Sequence, residues 1–192
     1  MSPTEAPDRH PDLLRRDATG LIVVDVQEAF RPVIDRFDEI VANVGLLVEG
    51  FGILSRPVIV SEQYPRGLKS TVGEVAERLP DATTIVEKTR FSACGVPGVE
   101  DALAAAGADS WVVCGIEAHV CVNQTVLDLL DRGARVQVAA DAVSSRTPAN
   151  RDAGLARMAA AGAVITTAEM ALFEMLESAG GPEFKAISAL VR

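Results

Sequence analysis

Histidine is scarce: the 192 residues include two, His10 and His119. A zinc site draws on several His, Cys or carboxylate ligands at suitable spacing. No stretch offers a His pair, so no metal site is expected. A histidine-based triad needs an imidazole that can face its nucleophile and lean on its own carboxylate. His10 lies in a Pro-, Asp- and Arg-rich stretch, and His119 stands two residues before Cys121, on the wrong side of a helical turn to face it. Cysteine is also sparse, with three residues and no CxxC or CxxCH spacing. That argues against a disulfide framework and suits free thiols in a cytoplasmic chain. Aromatics make up 4%, so the core is built from Val, Leu, Ile and Ala. Such a core suits helices packed on a buried parallel sheet. No apolar run is long enough to span a membrane, and the polar N-terminus is unlike a signal peptide. Lys and Arg number 18 against 27 acidic residues, a net charge of -9. That balance argues against nucleic acid or an anionic membrane as partner and leaves a small-molecule substrate. G-x-G-x-x-G and G-x-x-x-x-G-K-[ST] are both missing, so a nucleotide site is unsupported and no cofactor is expected.

What is present alternates between strand and helix. Residues 1–17 read as a flexible N-terminal arm and 18–192 as one domain. Gly20 to Val26 is a continuous apolar run broken by Asp25, as in a strand buried on both faces. Ile40, Val41, Val44, Leu47, Val48 and Phe51 recur at helical spacing. Further strands are expected at 57–60, 84–88, 110–114, 135–140 and 163–166, with a turn-rich loop at 61–70. Helices are expected at 99–106, after Cys121, and at 150–161, 168–178 and 182–192. The alternation predicts an α/β fold: a Rossmann-like three-layer sandwich with a six-stranded parallel sheet in the order 3-2-1-4-5-6 and helices on both faces.

In such folds ligands bind beyond the carboxyl ends of the strands, where strand order reverses. Asp25 closes the first strand, Lys88 closes the third, and Cys121 follows the fourth. A thiol at a strand-to-helix junction meets outward-pointing N–H groups and a positive helix end, which favour thiolate. Cys121 then supplies sulfur for attack on a carbonyl. Asp25 takes the thiol proton, and Lys88 holds the charges in place. N–H groups of the 115–121 turn stabilise the oxyanion, each worth about 3 kcal/mol of barrier. Each residue alone has a structural reading: Cys121 as a small apolar packer, Asp25 as a cap, Lys88 as a solvated strand end.

Three stretches carry a resemblance. Val24-Asp25-Val26-Gln27, Lys88-Thr89-Arg90-Phe91-Ser92-Ala93 and Gly115-Ile116-Glu117-Ala118-His119-Val120-Cys121-Val122 resemble the signatures of isochorismatase-like cysteine hydrolases. That superfamily includes nicotinamidases and N-carbamoylsarcosine amidases. Ser61 to Pro65, Gly115 to Ala118 and Asp141 to Arg146 are most similar to the isochorismatase domain-containing branch. The resemblance spans roughly residues 13–190. It implies an Asp25–Lys88–Cys121 triad, a cis peptide at Ile116–Glu117, and an oxyanion hole from the N–H groups of Glu117 and Cys121. It also implies a homo-oligomer, dimer or tetramer, and a pocket lined by an aromatic at Phe30. Tyr64, on a loop read as pocket-forming, is a second substrate-binding candidate.

Two departures matter. Nicotinamidases carry an Asp-x-His-type metal motif after the second strand, where this chain has Ser61-Glu62-Gln63-Tyr64. Isochorismatases of the siderophore type cleave a vinyl ether and lack the cysteine that is present here. The expectation is a metal-independent cysteine hydrolase that cleaves a C–N bond of a small amide or ureide through a thioester. The alternatives are a non-catalytic binding or regulatory protein of the same fold, or a redox role for Cys121. Gln27 is expected to be a structural hydrogen-bond partner, Arg146 a salt-bridge residue, and Asp141 a cap for the turn after it.

Overall fold

The structure is a computed structural model that describes residues 9–192. Six strands, β1 (Thr19–Val24), β2 (Val58–Gln63), β3 (Thr84–Lys88), β4 (Ser110–Ile116), β5 (Arg135–Ser144) and β6 (Val164–Thr166), form one sheet. Every pair is parallel, and the order is β3-β2-β1-β4-β5-β6, as the alternation predicts. The helices are α1 (Phe37–Ile53), α2 (Pro65–Leu68), α3 (Gly73–Ala76), α4 (Pro97–Ala106), α5 (Asn123–Asp131), α6 (Pro148–Ala160), α7 (Ala168–Leu176) and α8 (Gly181–Leu190).

The pleat explains the layers. Successive side chains of a strand point to opposite faces. Leu21 and Val23 join a core with residues of α1, α3, α7 and α8. Ile22 and Val24 join a second core with residues of α4, α5 and α6. All six residues of β1 are buried, which is why the run is apolar throughout instead of alternating. Each fully buried Leu, Ile or Val contributes roughly 1.5–3 kcal/mol.

The order reverses between β1 and β4. Val24 pairs with Ser61 on one side and Gly115 on the other. The C-terminal ends of β1, β2 and β4 therefore meet at one place. Several elements run longer than the local pattern predicts. β2 continues to Gln63 and β5 to Ser144, each paired to a parallel neighbour. Pairing of Val143 and Ser144 with β4 carries the strand past Asp141, which lies where the register shifts. The Asp141 carboxylate accepts the Ala168 N–H at 2.9 Å, so it caps the start of α7 and not the turn that follows it in sequence.

Of the segment read as an arm, residues 1–8 lie outside the described residues. Residues 9–17 carry specific contacts. Leu14 is buried in the first core. Arg9 donates to the carbonyls of Leu14 and Glu174, and Gln137 donates to the carbonyl of Asp12. Among the described residues, no helix is long and apolar enough to cross a membrane.

Candidate active site

Asp25 stands where β1 ends. Its backbone is left-handed, with φ at +56°, a conformation that costs a non-glycine residue about 1–3 kcal/mol. The Asp25 N–H donates to the Ser61 carbonyl at 3.0 Å and fixes the turn. The side chain is buried. One carboxylate oxygen accepts the Ser61 hydroxyl and the other accepts Lys88 Nζ, both at 2.7 Å. Lys88 Nζ also donates to Gln63 Oε1 at 2.8 Å and to the carbonyls of Arg90 and Phe91 at 3.1 and 2.9 Å. The chain after Lys88 thus wraps around its own ammonium. A buried ion pair is tolerable only when its remaining donors and acceptors are served in this way.

The stretch before Cys121 is shaped by one glycine. Gly115 has φ at +129°, and a Cβ there would lie 2.1 Å from the Val24 carbonyl oxygen. Only glycine lets β1 and β4 come this close. Glu117 then reverses the chain in the left-handed region, with φ +55° and ψ 62°. The peptide from Ile116 to Glu117 is trans, and no cis peptide occurs among the described residues. This corrects the cis bond that the resemblance implies: the dihedrals of Glu117 make the turn instead. A single π-helical turn, Ala118–Val122, follows and leads into α5. Its widened ring, Val122 N–H to Glu117 carbonyl, holds Cys121. Thr125 donates its hydroxyl to the Cys121 carbonyl at 2.7 Å and accepts the Ala93 N–H at 3.0 Å. That bond ties the stretch after Lys88 to the Cys121 turn.

The Cys121 thiol lies close enough to Asp25 for each group to perturb the other's ionisation. Burial, and next the negative charge of Asp25, push the thiol up to about 12, with Lys88 opposing. The resting group is therefore the thiol. Desolvation thus works against the thiolate that a helix start favours. Asp25 is itself raised by burial, against the pull of Lys88 and Ser61. A raised carboxylate facing a protonated thiol is an acceptor placed for that proton. Burial also raises Cys94, to about 11, and Cys114.

Residues 19–170 match the Isochorismatase domain. The chain belongs to the isochorismatase family. It is 44% identical over 169 residues to isochorismatase domain-containing protein 1 of Danio rerio, covering 88% of this chain and 59% of that protein. Among solved structures, the MAR1 ribonuclease of Caenorhabditis elegans superposes with a TM-score of 0.89 at 41% identity, covering 93% of this chain and 92% of that one. YcaC from Pseudomonas aeruginosa, solved with hexane-2,5-diol and covalent acrylamide, gives 0.86 at 26% identity, covering 95% and 93%.

The remaining candidates of this isochorismatase-family chain lie just after β1 and β2. Phe30 sits in the short helical turn Glu28–Phe30 and packs, partly buried, against the α1-side core. Tyr64 is 54% exposed, and its ring lies over Gly67. It lines a groove of about 470 Å³ together with Lys88, Arg66, Glu87, Arg90, Val96 and Pro97. Gln27 donates to the carbonyls of Gln63 and Lys69 and accepts the Gln63 N–H, the structural role expected of it. Arg146 pairs with Glu117 at 2.7 Å. Among the described residues, no group of three His, Cys, Asp or Glu is placed to hold a metal ion.

Four residues of the site are given no role by the sequence patterns: Ser61, Gln63, Thr125 and Gly154. Ser61 and Gln63 end β2, and the predicted strand order already sets β2 beside β1. Gly154 lies inside α6, and a Cβ there would lie 2.7 Å from the Ala118 carbonyl oxygen. Its only sequence signal is that glycine in a helix interior costs about 1 kcal/mol.

Proposed function

We propose that this chain is a metal-independent cysteine hydrolase that cleaves a C–N bond of a small amide or ureide. The observation that carries the reading is one connected buried array: the Cys121 thiol, the Asp25 carboxylate and the Lys88 ammonium. Asp25 takes the thiol proton as sulfur bonds the carbonyl carbon. The carbonyl oxygen becomes an oxyanion and accepts the N–H groups of Glu117 and Cys121. The intermediate collapses, the C–N bond breaks, and Asp25 passes its proton to the leaving nitrogen. Water then attacks the thioester, with Asp25 as base, and releases the acid and the free thiol. Lys88 holds Asp25 in place throughout.

The ribonuclease activity named for the Caenorhabditis elegans protein is not carried over. RNA binding draws on cations set against phosphates, and this chain has a net charge of -9 with Asp25 and Glu117 beside the thiol. Exposed Ile85, Phe91 and Tyr64 near the β3 edge support self-association into a homo-oligomer, which light scattering reads directly.

The deciding experiment is intact-mass spectrometry during turnover of a panel of small amides and ureides. An acyl adduct on Cys121, together with loss of hydrolysis in Cys121→Ala, supports the enzyme. Hydrolysis at the parental rate in Cys121→Ala overturns it. Binding without adduct or turnover across the panel favours a binding protein of the same fold.

A further inference from the structure

Glu117 is a carboxylate in an awkward place. It is buried, and its negative charge works against ionisation of Cys121. Electrostatics on sulfur therefore gives no reason for it. Its contacts give another. One carboxylate oxygen meets Arg146 Nε at 2.7 Å. The other is enclosed without a hydrogen bond, 3.3 Å from His119 Nδ1. His119 Nδ1 in turn lies 3.1 Å from the Ser145 hydroxyl. Ser145 and Arg146 follow β5, so these contacts fasten the segment between β5 and α6 to the turn that precedes Cys121.

The backbone of Glu117 is the left-handed pivot of that turn. Its carbonyl accepts the N–H groups of Val120 and Val122. A strained pivot persists only where its surroundings over-determine it. We propose that the Glu117 carboxylate, gripped by Arg146 and flanked by His119, is a positioning residue. It holds the left-handed pivot and so aims the N–H groups of Glu117 and Cys121 at a developing oxyanion. This rests on the cysteine chemistry proposed above and adds to it two side chains, those of Glu117 and Arg146, that need not touch substrate.

Two electrophiles separate positioning from charge. With iodoacetamide, the thiolate displaces iodide, the C–I pair leaves with iodine, and no oxyanion develops. With acrylamide, sulfur bonds the terminal alkene carbon and the alkene pair moves onto the carbonyl oxygen. The enolate then takes back a proton at carbon, the one Asp25 removed from the thiol. Only the second reaction draws on oriented N–H donors. The rate of each adduct on Cys121 is read by intact mass and located by peptide mapping, across pH, in the full-length protein.

In Glu117→Gln, loss of the like charge shifts iodoacetamide labelling toward lower pH, while the acrylamide-to-iodoacetamide rate ratio falls at least ~10-fold. Arg146→Ala lowers the ratio similarly, and Arg146→Lys restores it to within about threefold, since a cation again meets the carboxylate. Arg146 is 57% exposed on its side chain, so its variants report even where Glu117→Gln is unstable. A ratio unchanged in both Glu117→Gln and Arg146→Ala, while the parent reacts with both reagents, overturns the positioning role and leaves the nucleophile in place. A parent Cys121 inert to both reagents overturns the cysteine chemistry and this inference together.

Discussion

Replacing Gly154 with alanine sets two effects against each other. Gly154 lies in the interior of α6, where alanine is favoured over glycine by about 1 kcal/mol. An added Cβ would meet the Ala118 carbonyl oxygen at 2.7 Å, the Ala118 carbonyl carbon at 2.9 Å and His119 Cα at 3.0 Å. Ordinary contact begins at 3.4 Å, so the closest approach is short by 3.4 minus 2.7, or 0.7 Å. All three atoms are backbone, which cannot rotate away, so either α6 or the turn before Cys121 moves. Overpacking of this kind costs about 1–3 kcal/mol. Set against the helix gain, the net loss is about 0–2 kcal/mol, small beside a domain stability of about 5–15 kcal/mol. The variant folds. Its 118–122 turn is displaced by several tenths of an ångström, and misplacement by 1 Å at a reacting centre costs about 100-fold in rate. Urea unfolding and the rate of Cys121 modification by acrylamide, measured on the same preparation, check both halves. The expected outcome is a stability within about 2 kcal/mol of the parent and a rate down about tenfold or more. A variant stabilised by about 1 kcal/mol with parental reactivity would refute the reasoning, because α6 would then not bear on the turn.

Three further predictions follow from the same geometry. Gly115→Ala combines a left-handed φ with a Cβ 2.1 Å from the Val24 oxygen, so it loses about 2–6 kcal/mol from strain and overpacking together, read by urea unfolding. Lys88→Met leaves Asp25 buried without its cation; about 3–5 kcal/mol of stability goes, and Asp25 holds its proton and stops accepting the thiol's, so labelling and turnover fall together. The third concerns alkaline pH. Burial raises Cys121 from the ordinary 9.0 to about 12. The folded state therefore keeps a proton that the unfolded state releases, and its contribution is complete below the ordinary value and lost as pH rises toward the folded one. Stability falls between about pH 9 and 12, and Cys121→Ala shows a shallower fall in denaturation curves taken at successive pH values.

The sheet was largely legible from local pattern. Continuous apolar runs marked strands buried on both faces, and their alternation with helical periods left one topology to choose. Element ends were less legible. The stretch Asp141 to Ser144 has turn-like residues yet continues β5 through an irregular register, because Val143 and Ser144 pair with Gly115 and Ile116 of β4. The candidate site was half legible. Chain order and the carboxyl-edge rule put Asp25, Lys88 and Cys121 on one side of the sheet. Ser61 and Gln63 lie in a stretch that carries the resemblance but assigns them no role, and the register against β1 and β3 brings them to Asp25 and Lys88.

By itself the sequence determined the alternation of strand and helix, the two apolar faces and the placement of Asp25, Lys88 and Cys121 at strand ends. Those follow from periodicity and connection rules, which act along the chain. The tertiary structure alone decided that Cys121 rests as a thiol, since desolvation depends on what surrounds it in space. It alone decided that Glu117 turns the chain through a trans, left-handed residue held by Arg146. It also decided that two glycines are required by close backbone approach, at β1 and at the 118–119 turn. Burial, ion pairing and close contact join residues far apart in sequence, so no local pattern encodes them.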